Sequence, residues 1–340
     1  MKNRSFPYLF TALFAVIAIV ISLAVGSVSI PTMDLFRLLG EKLGIPVDPV
    51  SSVFRTILFD LRLPRMVLIA LTGASLAGSG AAYQGLFRNP LADPYLIGVA
   101  SGAGLGAVIA MSIKWPAKLF GMFTIPVAAF IFGLLTILLV YSLARVGKTV
   151  PTTNLLLAGV TVSSFCTALT SFLMIHSQNE LRRAIVWLLG GSALTGWEPV
   201  IAMLPYVLVG LTGLILLGYP LNVLQFGEDQ ARQLGLDVDR IKTLVILASS
   251  LTAAAAVAFT GIIGFIGLIV PHVVRILWTS DYRHLIPLSS LMGVAILLLT
   301  DVGARVLLPP QEIPLGIITA LIGAPFFLWV LRRSKQQAFW

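Results

Sequence analysis

Few side chains of this 340-residue chain could carry out chemistry, and they are scattered along it. Cys166 is the one cysteine, so neither a cysteine metal cluster nor an intramolecular disulfide is possible. His272 has no second histidine or cysteine nearby, which predicts packing or an inner-rim contact rather than a metal site. The sequence contains no pattern typical of a nucleophilic, zinc-dependent or phosphate-binding site. We therefore expect no catalytic residue, no metal and no cofactor on this chain.

Several charged residues are spaced so that they could pair with each other or with a partner. Asp301 and Arg305 are four residues apart near the outer end of a predicted helix, which favours a local ion pair. Arg62 and Arg65 open another predicted helix on the outer side, where basic residues are usually fewer. These two arginines could extend to the membrane interface, pair with Asp60 or contact an acidic partner, and the residues alone leave these alternatives open.

The segment 218–242 concentrates charge in an otherwise apolar chain. Its pattern predicts two short helices separated at Gly235, with the interleaved apolar residues at least partly protected. A surface that docks a soluble partner and a solvated loop on the membrane fit this pattern equally well. The charged residues between 228 and 242 are Glu228, Asp229, Arg232, Asp237, Asp239, Arg240 and Lys242.

A second polar segment, residues 88–94, joins two apolar helices that are rich in glycine and other small residues. It contains Asn89 and two prolines, Pro90 and Pro94, in a short loop between membrane-length segments. That composition favours a loop that moves, seals a pore or docks a partner. The small residues of the flanking helices predict close packing of helix backbones.

The composition indicates that membrane helices position these residues. Hydrophobic residues make up 58% of the chain, charged residues 11%, and the mean hydropathy is +0.97. A helix needs about 20 apolar residues to cross a bilayer, so we predict an all-α polytopic membrane protein. The formal charge of +9 comes from basic residues at segment ends, which indicates membrane topology rather than nucleic-acid binding.

Ten spanning helices are predicted, with the boundary near Gly261 the least well defined. The N-terminal apolar run is interpreted as an uncleaved first helix, and the basic C-terminal tail favours an even number of spans with both termini cytoplasmic. We expect one transmembrane domain over residues 1–340, because no segment fits a soluble domain. The predicted spans are 7–28, 64–83, 93–112, 119–143, 152–175, 197–217, 243–260, 262–279, 285–304 and 314–331.

Motifs along nearly the whole chain closely resemble the FecCD family, the permease subunits of bacterial ABC importers for iron–siderophores, haem and vitamin B12. The Arg-Asn-Pro-Leu-Ala loop and the Gly-Leu-Ile-Val-Pro-His stretch are the most specific. The matching segments, in order, are 62–65, 73–80, Gln84, 88–94, 155–159, 187–192, 227–235, 264–272, Asp301, 304–305, 314–316 and 323–326.

This resemblance implies a ten-helix, type II importer permease fold and three sets of site residues. Arg62, Arg65 and Arg305 would contact glutamates of an extracytoplasmic substrate-binding protein. The inner gate would involve Asn89, Leu91, Thr152 and Thr153. The docking element at about 218–242 would bind a cytoplasmic ATPase dimer through Gly227, Glu228, Ala231, Arg232, Leu234 and Gly235.

We hypothesise a multi-pass permease subunit in a bacterial cell membrane that imports an iron chelate, haem or corrinoid by ATP-driven alternating access. It would pair with a second permease, an identical copy being favoured over a paralogue, and ATP and Mg²⁺ would bind only to the partner ATPases. An ion-coupled secondary transporter is the main alternative, although ionisable residues are nearly absent from the span centres. An intramembrane enzyme and a structural scaffold are further alternatives.

Overall fold

The computed structural model describes residues 5–26, 28–46, 48–113, 121–147, 149–176, 180–191 and 194–337, which build an all-α architecture. Short 3-10 turns lie at Pro94–Ile97 and Gly121–Phe123. The α-helices are α1 Ser5–Ala24, α2 Thr32–Lys42, α3 Ser52–Thr56, α4 Leu63–Leu86, α5 Val99–Ser112, α6 Thr124–Ala144, α7 Thr152–His176, α8 Leu181–Leu188, α9 Glu198–Leu216, α10 Gly218–Leu224, α11 Glu228–Gln233, α12 Val238–Thr260, α13 Ile266–Leu277, α14 Tyr282–Val306 and α15 Leu315–Gln337.

The predicted membrane helices coincide with helices of the structure. Seven described stretches are long and apolar enough to cross a membrane, and α5, α13 and α15 supply three shorter apolar segments. Each of the ten predicted spans overlaps one of these, so the all-α polytopic prediction is confirmed. The first two residues of the span predicted at 119–143 lie outside the described residues.

The segment 29–63, which lies between the first two predicted spans, is largely helical. α2 packs Leu35 and Leu38 into the core, and α3 continues through a π-helical turn, Ile57–Arg62, into α4. Its charged residues dominate the local pattern, but Arg55 and Glu41 pair with each other and leave the apolar residues free to pack. An amphipathic helix with so many charges is hard to distinguish from a loop by hydropathy alone.

α4 forms the centre of the bundle because small residues line its length. A Cβ atom on Gly73 would collide with the carbonyl oxygen of Gly293 in α14, and one on Gly80 would collide with that of Gly267 in α13. These glycines let the helix backbones approach closely. The tight packing predicted from the small residues is therefore observed, and it places both α13 and α14 directly against α4.

The bundle has two chemically distinct ends. At one end the Tyr8 hydroxyl lies 2.9 Å from His284 Nδ1, and Gln225 donates to the Gly85 carbonyl at 3.0 Å. His272 packs against Phe326 of α15 towards this end, so the start of α1 and the later part of α15 lie on the same side. The opposite end contains Arg62 and Arg305. We call the first the docking end and the second the rim end.

Candidate functional site

Five charged residues form a cluster at the rim end. They are Arg62 of the π turn before α4, Arg65 of α4, Asp301 and Arg305 of α14, and Glu312 of the loop before α15. Arg65 Nη2 lies 2.8 Å from Asp301 Oδ1, and Arg65 Nη1 lies 2.7 Å from Glu312 Oε2. Arg305 Nε lies 3.0 Å from Asp301 Oδ2, which is the local ion pair predicted from their spacing. A cavity of about 650 Å³ opens beside Arg62, Arg65, Arg305 and Glu312.

Arg62 and Arg305 are only 7% exposed, because they tie the end of α1 to the rest of the rim. Arg62 donates to the carbonyls of Leu23 at 2.6 Å and Ala24 at 3.0 Å, and also to that of Val28. Arg305 donates to the carbonyl of Ser22 at 3.1 Å. The last carbonyls of a helix lack intrahelical partners and carry partial negative charge, so these two cations satisfy the end of α1.

Arg65 is the accessible member of the three predicted rim arginines. Its side chain is 32% exposed, and Glu312, which it contacts, is 53% exposed. Asp301 is almost fully buried between Arg65 and Arg305. The structure therefore brings all three arginines together but gives them different environments.

The charged segment at the docking end forms two short helices, α10 and α11, before α12 begins. Gly227 (φ 110°) and Gly235 (φ 84°) have backbone angles that other residues rarely adopt, and they separate α11 from both neighbours. The predicted break at Gly235 is confirmed, but the segment after it begins the long helix α12 instead of a second short helix. Arg232 Nη2 donates to Asp239 Oδ2 at 2.7 Å, and this hydrogen bond raises the pKa of Arg232.

Apolar side chains of this segment divide into two groups. Ala231 and Leu224 are buried, whereas Phe226 is 67% exposed and Leu234 is 70% exposed. The prediction that the interleaved apolar residues are protected is therefore wrong for Phe226 and Leu234, which project from the segment on either side of α11. Large apolar side chains exposed beside charged ones are typical of a surface that a partner covers.

The predicted gate residues lie on the loop after α4 and at the start of α7, both at the docking end. Asn89 is exposed, and its Oδ1 accepts a hydrogen bond from the Leu91 backbone at 2.9 Å. Arg88, which adopts a left-handed conformation (φ 49°), brings its guanidinium beside Gly227. Thr152 and Thr153 begin α7, the former half-buried and the latter exposed. The Asn89 loop thus contacts the segment that contains α11.

A buried lysine links α11 to the start of α7. Lys242 of α12 is 4% exposed and forms an ion pair with Glu228, the first residue of α11. Its ammonium also donates to the carbonyl of Val150, two residues before Thr152, at 3.3 Å. Side chains therefore connect the docking segment to both parts of the predicted gate, the Asn89 loop and the start of α7.

One face of α7 was not identified in the sequence analysis. Thr161, Ser164, Thr167 and Ser171 are exposed on this face, and each hydroxyl donates to the carbonyl four residues earlier. We call it the hydroxyl face. The recurrence of Ser and Thr at helical spacing in an apolar span is a signal that the sequence carries. A membrane helix with a hydroxyl-rich exposed face is suited to a water-filled space or a partner helix.

Two cavities on the sides of the bundle differ in their lining. One, of about 520 Å³, adjoins the hydroxyl face and contains Asp93, Ser163 and Ser164. The other, of about 650 Å³, lies between α6, α9 and α12 and is lined almost entirely by aliphatic residues such as Leu138 and Leu247. Among the described residues, no three His, Cys, Asp or Glu side chains come together as metal ligands would.

Comparison with known proteins places these features in a family. The family model of the FecCD transport family matches residues 14–333. The cobalamin import system permease protein BtuC of Halobacterium salinarum is 46% identical over 289 residues, covering 85% of this chain and 77% of that protein. The hemin transport system permease protein HmuU of Yersinia pestis is 36% identical over 345 residues, covering 99% of each chain.

A solved structure shares the whole fold. It is described as an inward-facing conformation of a metal-chelate type ABC transporter and is 33% identical to this chain, with a TM-score of 0.82. The match covers 96% of this chain and 98% of that one. The likeness therefore extends over the rim cluster, the hydroxyl face and the docking segment alike.

Proposed function

The chain belongs to the FecCD transport family, and we propose that it imports a metal chelate, haem or corrinoid along the hydroxyl face of α7. It is the membrane-embedded permease subunit of an ABC importer, and ATP hydrolysis belongs to a separate partner. The cargo classes are those of its relatives, whose names specify cobalamin and hemin. The ion-coupled alternative is not favoured by these comparisons.

The hydroxyl face of α7 is the observation that carries the proposed pathway. In contact with lipid, hydroxyl side chains have no advantage over aliphatic ones. The side formed by α6, α9 and α12, with its aliphatic cavity, is suited to contact with lipid. In the proposal, α7 of this subunit faces a second permease subunit across a central pathway. An identical copy is the simplest partner, because it presents the same hydroxyl face from the opposite side.

At the docking end, the proposal assigns α11 and its flanking glycines to the ATPase. The predicted docking residues are Gly227, Glu228, Ala231, Arg232, Leu234 and Gly235. Phe226 and Leu234 supply exposed apolar contact area, Ala231 packs inward, and Glu228 connects to Lys242. Motion of α11 would then reach the gate residues Asn89, Leu91, Thr152 and Thr153 through Lys242 and Arg88. ATP and Mg²⁺ would remain on the ATPase.

At the rim end, the proposal assigns docking of an extracytoplasmic substrate-binding protein to the arginine cluster. Arg65 is accessible and would make the first contact with an acidic group of that protein. Arg62 and Arg305 are held by the backbone of α1, so they would keep the docking surface in shape or meet the partner after α1 moves. In this proposal the docking end faces the cytoplasm, and both termini lie on that side of the membrane.

Reconstituted vesicles test the proposed function. The complete transporter, with its ATPase inside the vesicle and its binding protein outside, should accumulate cyanocobalamin or haemin only when ATP is supplied. Vesicles that contain this chain alone should not accumulate either compound. Accumulation that proceeds without ATP and is abolished by an ionophore would contradict the proposal and support the ion-coupled alternative.

A further inference from the structure

The cavity beside the hydroxyl face is bordered by a carboxylate. The cavity lies between α7, the turn Pro94–Ile97 and the backbone break that precedes α13. Its contacts on α7 run from Val160 to Thr167, and the midpoint of this 25-residue helix is Ser164. At 1.5 Å per residue, this level is about 18 Å from either end of the helix. Asp93 therefore borders a cavity that lies well inside the span.

The structural role of Asp93 does not require its charge. Asp93 caps the turn Pro94–Ile97, with Oδ1 accepting a hydrogen bond from the Tyr95 backbone at 2.7 Å. An asparagine could make the same bond, since neutral Asn caps as well as Asp. Oδ2 makes no hydrogen bond within the described part of the chain and borders the cavity. A carboxylate inside a span costs up to about 2.5–3.5 kcal/mol on insertion scales, so its presence points to a role in the pathway.

The other polar groups of the cavity also present acceptors. Ser164 and Thr167 use their protons on carbonyls four residues earlier, at 2.9 and 2.8 Å, which leaves lone pairs directed away from the helix. The Tyr95 hydroxyl donates to the carbonyl of Ile263 at 2.9 Å. The polar part of the lining is therefore the carboxylate, the Ser163 hydroxyl and three hydroxyl oxygens whose protons are already committed. Apolar residues, among them Leu96, Val160 and Phe265, form the rest of the lining. The polar part is suited to amide and hydroxyl donors, and it repels a carboxylate.

We propose that this cavity is a subsite for a side group of the cargo, and that it selects chelates whose periphery carries amide or hydroxyl donors over those that carry carboxylates. This inference rests on the proposed function, because the cargo must pass along α7. The volume of about 520 Å³ suits a peripheral group rather than a whole chelate. A corrinoid with peripheral amides matches the subsite, whereas haem, with two propionates, does not.

Competing uptake of two probes tests the subsite. ATP-driven uptake of cyanocobalamin and of haemin is measured in vesicles that contain the complete transporter, with wild type and Asp93→Asn compared. Wild type should take up cyanocobalamin faster than haemin. Asp93→Asn keeps the cap but loses the charge, so the ratio of the two rates should fall about tenfold, as expected for one hydrogen bond to a charged group.

Two serine variants control for general damage. Ser164→Ala removes an acceptor from the cavity and should lower the same ratio by a smaller factor. Ser142→Ala removes an exposed hydroxyl with the same kind of local hydrogen bond on α6, and it should leave the ratio unchanged. An unchanged ratio in Asp93→Asn, or a wild type that prefers haemin, would overturn the inference while leaving the proposed function in place. A wild type that takes up neither probe would likewise overturn the inference, and one that with ATP takes up no ferric siderophore either would refute the proposed function itself.

Discussion

Glu312 is the rim residue whose effect on partner binding can be tested with the least effect on folding. It is exposed and contacts Arg65, the accessible arginine of the cluster. An acidic group of a docking partner would have to compete with Glu312 for this guanidinium. Glu312 therefore reduces the net attraction of the rim for such a partner, while contributing little to stability because exposed ion pairs are worth about 0.2–1 kcal/mol.

Glu312→Gln should strengthen binding of the substrate-binding protein up to about fivefold, the equivalent of about 1 kcal/mol. The reason is that Arg65 would then be free for the acidic group of the partner. The dissociation constant of the binding protein for the vesicle-embedded transporter measures this effect. Glu198→Gln, which removes another exposed carboxylate outside the Arg65 cluster, is the matched control and should have little effect. Weaker binding by Glu312→Gln would show that Glu312 itself contacts the partner.

Asp301→Asn should destabilise the protein far more than Glu312→Gln. Asp301 is buried between Arg65 and Arg305, and removing one partner of a buried ion pair typically costs about 3–5 kcal/mol. The thermal unfolding midpoint of the purified protein in detergent gives the comparison. Equal midpoints for the two variants would mean that the cluster is solvated and that Asp301 does not hold the arginines in place.

Residue-level prediction from sequence succeeded where the partners are local. The four-residue spacing of Asp301 and Arg305 sufficed to predict their pairing. The partners of Arg62 are carbonyls of Leu23 and Ala24, almost forty positions earlier, and backbone groups leave no mark in the pattern of residue types. Sequence reasoning therefore identified Arg62 as a rim cation but could not show that it is buried and hydrogen-bonded to the backbone of α1.

At the scale of elements, the docking segment is connected to the start of α7. The connection runs from Glu228 of α11 to Lys242 of α12 and then to the carbonyl of Val150. A buried ammonium needs such partners, because an unpaired charge there would be costly. Displacement of α11 by a partner would therefore disturb the first turn of α7, where Thr152 and Thr153 lie.

Lys242→Met should reduce coupling between ATP hydrolysis and transport. Met preserves much of the buried aliphatic volume but removes the charge, so α11 and the start of α7 would lose their link. We expect uptake per ATP hydrolysed to fall several-fold while the ATPase remains bound. Simultaneous measurement of ATP hydrolysis and cargo uptake in vesicles provides this ratio.

Arg240→Met is the matched control for this prediction. It removes a basic side chain from the same helix, but Arg240 is exposed, so the ratio of uptake to hydrolysis should stay near that of wild type. Loss of ATPase binding in Lys242→Met would place Lys242 in the docking surface instead. An unchanged ratio would contradict the connection described above.

The long apolar elements were predictable because a membrane span demands continuous hydropathy, as in α6, α7 and α12. α2 and the π-helical turn before α4 could not be predicted in this way, because their apolar residues alternate with charged residues that are paired only in the folded chain. Phe265, which has a left-handed backbone (φ 68°), ends the break between α12 and α13. The glycines at 261 and 264 signalled a break there, but no pattern indicated that a phenylalanine would adopt this conformation.

The whole molecule has two sides that the sequence did not distinguish. The hydroxyl face of α7 and the Asp93 cavity lie on one side, where hydroxyls and a carboxylate occur among exposed apolar residues such as Phe165, and we call it the polar side. The cavity between α6, α9 and α12 marks an aliphatic side. Composition reveals that the chain is apolar overall, but the assignment of each face depends on which helices pack together. The polar side carries the proposed pathway, so the proposal requires that this side contact water.

Thiol labelling measures that contact directly. Cys166 is the single cysteine and is buried, so a Cys166→Ala protein provides a clean background. Ser164→Cys on the hydroxyl face is at the midpoint of α7, and Leu138→Cys on the aliphatic side lies within α6, between its midpoint and its last residue. In vesicles that contain the complete transporter, a membrane-impermeant maleimide should label Ser164→Cys in at least one nucleotide state and should leave Leu138→Cys unlabelled. Labelling of Leu138→Cys with protection of Ser164→Cys in every nucleotide state would contradict the account.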